Sequence, residues 1–306
     1  MMHGNIPNTI KELNTRQILD DGEDSFAISH PQNQTSPIVF ASPHSGRAYP
    51  RIFFSACIAD PMDLRRVEDA YVDYLFSDTP QWGSPLLRAL VGRACLDLNR
   101  AANELDAHII DPPIKSPRPN RTPRVQAGLG CIPRIAFSGT SIYGRKLTPA
   151  EVKKRLKTVY TPYHKALNSL IDATRKAFGV SFLVDCHSMP SQSELGATFP
   201  DIVLGDRFGA ACNSDFTDLI ERAFSTRGYS VVRNRPYAGG YITQSQGRPE
   251  KQRHAIQIEI NRKLYLDEHN VILSSNAAHL KKDINEIFEN ISEWATYNAP
   301  QKPAIA

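Results

Sequence analysis

Two apolar runs in this chain stop on residues that can bind a metal or move a proton. Phe182-Leu183-Val184 ends at Asp185-Cys186-His187-Ser188, and Ile38-Val39-Phe40 ends at Ala41-Ser42-Pro43-His44-Ser45-Gly46. Short runs with β-branched members fit buried strands, and in open α/β sheets ligands collect beyond the carboxyl ends of strands. Two strand-end imidazoles and one carboxylate make the three-protein-ligand set of a catalytic zinc site, whose fourth position is left for water. No H-E-x-x-H is present, so the ligands must converge from distant segments. Glu68 and Asp69 both qualify as the carboxylate, although an acidic pair at helical spacing equally fits an exposed face. Asp185 can orient a ligand from behind. Taken alone, His187 reads equally well as a satisfied core histidine.

Hydrolysis on such a site needs a base to take a proton from water and pass it to the leaving group. Glu259 is the best candidate. It interrupts the isoleucines of Ile256-Gln257-Ile258-Glu259-Ile260, where burial would raise its pKa towards the working range. The same alternation also allows Glu259 to face solvent, with His164 and His254 next in line as base. Asn99-Arg100, at the end of the run Ala94 to Leu98, pairs an amide with a planar guanidinium suited to a carboxylate.

The elements that must position these groups alternate. Strands are expected at 38–40, 85–91, 94–98, 202–204, 229–233 and 256–260, and helices at 61–78, 216–225 and 280–297. Thr148-Pro149-Ala150-Glu151 reads as a capping box with proline at the first helical position, opening a helix through Leu156 and Val159, and a second helical stretch after Pro162 runs through Tyr163, His164 and Leu167 to Phe178 and stops at Gly179. Residues 111–124 carry five prolines and four basic residues. They read as a long surface loop and a candidate lid, not as helix. Strands and helices interleave throughout, which favours a three-layer α/β/α domain with a mixed central sheet.

Bulk composition narrows the classes. With 306 residues, 41% hydrophobic and 22% charged, the chain suits one large α/β domain over 1–306, with 1–24 as a peripheral segment. A net charge of +4 from 36 basic and 32 acidic residues is too thin an excess to argue for nucleic acid. The five cysteines are scattered and form no C-x-x-C, which suits a reduced, cytoplasmic protein. No signal peptide is expected in the polar N-terminus, and no run reaches the roughly 18 apolar residues of a membrane span. Oligomeric state is left open.

Together the ordered pieces Ser42-Pro43-His44-Ser45-Gly46, Glu68-Asp69, Asp97-Leu98-Asn99-Arg100, Gly144-Arg145, Pro162-Tyr163-His164, Asp185-Cys186-His187-Ser188, Gly239-Gly240-Tyr241-Ile242-Thr243 and Gln257-Ile258-Glu259 resemble the N-formylglutamate amidohydrolase family. The resemblance runs from about residue 36 to 268. It implies a zinc-carboxypeptidase-like, phosphorylase/hydrolase-like fold and zinc-dependent hydrolysis of an N-acyl amino acid, typically N-formyl-L-glutamate in histidine breakdown. It further implies one Zn2+ per chain held by His44, Asp69 and His187, with Glu259 as base and Arg100 as its catalytic partner. Asn99, Arg100, Arg145, Gly240 and Thr243 would surround the substrate. Carboxypeptidases draw two ligands from one H-x-x-E turn, whereas position 47 here is Arg, so the acid must come from elsewhere. Two other readings stand beside this one: a zinc hydrolase for another N-acyl amino acid or a small peptide, and a non-enzymatic dicarboxylate-binding protein using Arg100, Arg134 and Arg145.

Overall fold

The apolar runs fold as strands whose side chains alternate between two cores. The computed structural model describes residues 17–20, 22–114, 122–193 and 196–300. Its main sheet has seven strands: β1 (Phe26–Ser29), β2 (Ile38–Ser42), β3 (Leu86–Ala89), β4 (Ser181–Met189), β5 (Ile202–Gly205), β6 (Val231–Arg233) and β7 (Arg253–Asn261). In space they run β1-β3-β2-β4-β7-β5-β6. The four central strands β3, β2, β4 and β7 are parallel, β1 runs against β3, β5 runs against β7, and β6 is parallel to β5. The sheet is therefore mixed.

Helices cover both faces. One core packs Ile38, Phe40, Val184, Ile256 and Ile258 under α2 (Val72–Leu75), α5 (Ser214–Ser225) and α7 (Ala277–Tyr297). The other packs Val39, Ala41, Leu183 and Ala255 against α3 (Pro149–Arg155), α4 (Thr161–Phe178) and Ile242 of α6 (Tyr241–Gln246). Each fully buried Ile or Leu contributes roughly 1.5–3 kcal/mol. No helix among the described residues is long and apolar enough to cross a membrane. All five cysteines are free.

The period of two explains where the chemistry lies. Along β4 the even residues Phe182, Val184 and Cys186 enter the first core, as Ile256, Ile258 and Ile260 do along β7. The odd residues Leu183 and Ala255 begin the opposite face, which then turns polar: Asp185 and His187 on β4 stand in register with Gln257 and Glu259 on β7. Half of each strand thus anchors the sheet while the other half ends in a site.

The helix that passes Pro162 survives by changing pitch. Thr148 and Glu151 form the expected capping box, and Gly179 ends α4 at φ +78°. Between α3 and α4 the chain makes a π-helical segment, Leu156–Tyr160, just before the proline that cannot donate into an α ladder. The wider turn puts the Tyr160 hydroxyl on the Arg100 carbonyl at 3.0 Å.

Three expectations are corrected. The stretch 61–78 is not one helix: α1 (Pro61–Arg66) stops, Tyr71 takes φ +63°, and α2 begins. The break occurs because the Asp69 amide donates to the His44 carbonyl at 3.0 Å, tying this chain to the turn after β2. Ala94 to Leu98 is a set of turns, with Cys95 N–H bonded to the Gly92 carbonyl; its apolar side chains fill the second core without joining the sheet. In 111–124, Pro123–Gln126 is a one-turn helix capped by Thr122, since proline is compatible with a first helical position. Residues 115–121 of the expected lid, and 1–16 and 21 of the N-terminal segment, lie outside the described residues.

Candidate active site

A cavity of about 1160 Å³ opens over the carboxyl ends of β2, β4 and β7. His44 reaches it from the turn that follows β2. That turn is packed so closely that a Cβ at Gly46 would lie 2.2 Å from the Val91 carbonyl oxygen. The Ser45 hydroxyl accepts from Asp73 N–H at 3.0 Å and donates to the Asp69 carbonyl at 3.3 Å, fixing the turn against the broken helix.

The three distant segments meet at Asp69. Its Oδ2 is 3.2 Å from His44 Nδ1 and 2.9 Å from His187 Nδ1, and all three side chains are buried. The outer nitrogens of the rings are also held by acids: His44 Nε2 is 2.7 Å from Asp97 Oδ1, and His187 Nε2 is 3.1 Å from Asp185 Oδ2. The first is a well-formed hydrogen bond and the second an off-axis ion-pair contact, because neither Asp185 oxygen has an aligned partner among the described residues. Asp69 is oriented from its other oxygen by Arg262 Nη2 at 3.2 Å, and Arg93 Nη1 stands 3.6 Å away.

Charge balance follows from these contacts. Burial alone would raise the Asp69 carboxyl, but hydrogen bonds with His187 and His44, together with the charges of His44 and Arg93, hold it well below its ordinary value. Burial opposes the Asp97 charge too, and Arg93, His44 and Arg100 outweigh it. The His187 imidazole, which burial would lower, is held well above its usual range by Asp185 and Asp69. The cluster therefore favours positive charge between the two rings.

His44, Asp69 and His187 fit a divalent metal. Two imidazole nitrogens and a carboxylate oxygen lie within 4.8 Å of one another. The 2.9 and 3.2 Å donor separations are close to the roughly 3.3 Å edge expected of a tetrahedron with bonds near 2.0–2.1 Å. Each ring has a carboxylate behind it, the usual means of fixing a ligand tautomer. Glu68 faces elsewhere, with Oε2 3.3 Å from Arg65 Nε and its carboxyl pushed up to about 8 by burial. Of the candidate acids, Asp69 faces both rings, while Asp185 stands behind one of them.

Glu259 is the register partner of His187 on the adjoining strand and lines the cavity. Burial raises its carboxyl above the ordinary value against the pull of His187. Its Oε1 accepts from Gln257 Nε2 at 2.7 Å, and Gln257 Oε1 accepts from Gly240 N–H at 2.7 Å and from Asn99 Nδ2 at 3.4 Å. Asn99 is thus committed inside the protein: its Oδ1 accepts from Ile242 N–H at 2.8 Å and its Nδ2 is 3.2 Å from His187 Nε2. A Cβ at Gly240 would lie 2.3 Å from Asn99 Nδ2, so any larger residue there must displace the Asn99 amide.

The remaining expected residues separate. Arg100 lines the cavity, with Nε and Nη1 donating to the carbonyls of Leu129 and Asn99. Thr243 is fully buried under the Gly239 turn and does not line the cavity. Arg145 lies on the surface, bonded through Nη2 to Glu151 at 2.7 Å and Ser55 at 3.2 Å, so its placement beside substrate is corrected: the helix start at Thr148 and Glu151 claims it. Arg134 pairs with Asp106 at 2.9 Å and is also outside the cavity lining. His164 donates from Nε2 to the Leu98 carbonyl at 3.0 Å, and His254 stacks on Phe182; neither lines the cavity. Sequence reasoning missed Arg93, Arg262 and the role of Asp97. Arg262 follows the end of β7, so the strand-end rule applied there would have found it.

Residues 36–266 match the family profile described as N-formylglutamate amidohydrolase. An N-formylglutamate deformylase of Pseudomonas aeruginosa is 28% identical over 266 residues, covering 84% of this chain and 93% of that protein. One from Pseudomonas putida is 27% identical over 237 residues, covering 76% and 82%. The crystal structure of N-formylglutamate amidohydrolase from Ralstonia eutropha JMP134 superposes with a TM-score of 0.85 at 34% identity, covering 90% of this chain and 100% of that one.

Proposed function

This chain belongs to the N-formylglutamate amidohydrolase family, and on that premise we propose that it hydrolyses N-formyl-L-glutamate to formate and L-glutamate with one zinc ion per chain. The observation that carries the reading is the buried convergence of His44, Asp69 and His187 beside Glu259. A zinc ion bound there would activate water and polarise the formyl carbonyl. Glu259, kept basic enough by burial, accepts the proton of the attacking water and delivers it to the amide nitrogen as the C–N bond breaks. Gln257 holds one Glu259 oxygen, which aims the other into the cavity. Arg93, next to Asp69 and Asp97, supplies fixed positive charge on the side where the carbonyl oxygen becomes negative. Arg100, whose Nε and Nη1 are held by carbonyls, presents Nη2, 3.9 Å from Asp97 Oδ2, to the α-carboxylate.

The test joins metal analysis to turnover. Purified protein is expected to hold about one zinc per chain, to lose hydrolysis of N-formyl-L-glutamate on chelation and to regain it with zinc. Glu259→Gln should lower kcat by about 100-fold or more while metal content is unchanged. Full activity in metal-free protein would overturn the mechanism. Faster turnover of N-acetyl- than N-formyl-L-glutamate would assign the same chemistry to a different acyl group.

A further inference from the structure

Five arginines line the cavity among the described residues: Arg66, Arg93, Arg100, Arg124 and Arg262. Four are tied to protein acceptors. Arg66 bonds Asp63 and the His269 carbonyl, and Arg93 bonds Asp97. Arg262 is divided among Ser188, Asp69 and the carbonyls of Arg66 and Glu68, while Arg100 holds two carbonyls.

Arg124 differs. It is exposed, it sits on the one-turn helix Pro123–Gln126 held by the Thr122 hydroxyl on Val125 N–H at 3.2 Å, and its side chain has no hydrogen bond or ion pair among the described residues. Its charge is nonetheless felt by Arg100, whose guanidinium is lowered by burial and then, against Asp97, by Arg124 and Arg93. Both cations line the cavity, and Glu104, the acid on which both act, is not among its lining residues, so an anion that enters the cavity meets two guanidiniums. The substrate proposed above carries two carboxylates, and Arg100 Nη2 makes a loose contact, 3.9 Å from Asp97 Oδ2, that leaves it able to take one of them.

We propose that Arg124 receives the side-chain carboxylate of the amino-acid part of the substrate while Arg100 takes the α-carboxylate, which makes Arg124 the residue that selects acidic side chains. The inference rests on the amidohydrolase reading. A guanidinium opposite a carboxylate gives charge-assisted, directional bonds that a neutral amide side chain does not match. Because Arg124 is exposed, solvent screens part of the effect.

The decisive comparison is N-formyl-L-glutamate against its near-isostere N-formyl-L-glutamine, in the zinc-loaded wild type, Arg124→Gln and Arg124→Lys. Arg124→Gln is expected to lower kcat/KM for the glutamate substrate about 10- to 50-fold, chiefly through KM, and to leave the glutamine substrate within about twofold. Arg124→Lys should recover part of the preference. Equal losses on both substrates, or no loss on the glutamate one, would overturn the assignment. Calorimetric binding of L-glutamate and L-glutamine supplies an arm that needs no turnover: Arg124→Gln should weaken glutamate selectively. If the wild type turns over neither substrate but shows this selective loss, the hydrolytic reading fails and the carboxylate site stands. If glutamate binds wild type and Arg124→Gln equally, or binds neither, the carboxylate site fails.

Discussion

Gly240→Ala is the substitution whose effect is most completely determined by the geometry. Gly240 has φ −84° and ψ −159°, a backbone that alanine adopts without strain, so only space is at issue. The added Cβ would lie 2.3 Å from Asn99 Nδ2 and 2.5 Å from its Oδ1. Asn99 cannot swing aside freely, because its Oδ1 holds Ile242 N–H at 2.8 Å. Either that bond breaks or the Gly240 N–H leaves Gln257 Oε1, and each buried hydrogen bond lost costs about 1–3 kcal/mol. Residual overpacking adds about 1 kcal/mol or more. The total of about 2–4 kcal/mol should lower Tm by roughly 4–8 °C in a chain of this size. Gln257 is also the residue that holds Glu259, so kcat should fall about 10- to 100-fold while KM changes less and zinc content is unchanged. Differential scanning calorimetry, metal analysis and steady-state kinetics read the three effects. Pairing it with Asn99→Ala should make the double variant less damaged than the sum of the singles, since the clash partner is gone. Wild-type Tm and kcat in Gly240→Ala would refute the chain from Gly240 through Gln257 to Glu259.

Two further outcomes are expected. Burial lowers the His164 imidazole to about 4, so below its ordinary pKa the unfolded chain binds a proton that the folded chain refuses, and stability must fall as pH falls. From pH 7 to 5 that amounts to about 2 kcal/mol, and His164→Gln should lose about that much less over the same interval in denaturant titrations; an unchanged pH slope would contradict it. Arg145→Ala should leave kcat/KM for N-formyl-L-glutamate within about twofold, because Arg145 is spent on Glu151 at the surface. A loss of tenfold or more would return Arg145 to the substrate.

What the sequence revealed tracks what is local. The alternation of β7, the capping box at Thr148 and the Gly179 stop are set by neighbours within a few residues, and each was readable. The two histidines were readable because strand ends are. Ala94 to Leu98 was apolar for a different reason, since its side chains fill a core around turns. The break at Glu68-Asp69 depends on a hydrogen bond to His44, 25 residues away, which no helical periodicity contains. Arg93 and Arg262 gain meaning only from the buried carboxylate they share. Arg145 shows the converse: a residue within a recognisable stretch can still be claimed by the nearest helix start.

The division of β4 and β7 into an anchoring half and a reacting half has a consequence for folding quality. A one-residue slip of either strand would turn Glu259 and Gln257, or Asp185 and His187, into the apolar layer and push isoleucines or valine into the cavity. Such a mispaired sheet would carry buried charges without partners, at a cost of several kcal/mol. The catalytic groups therefore proofread the pairing that displays them, and a preparation's specific activity measures the fraction of molecules whose sheet has closed in the right frame.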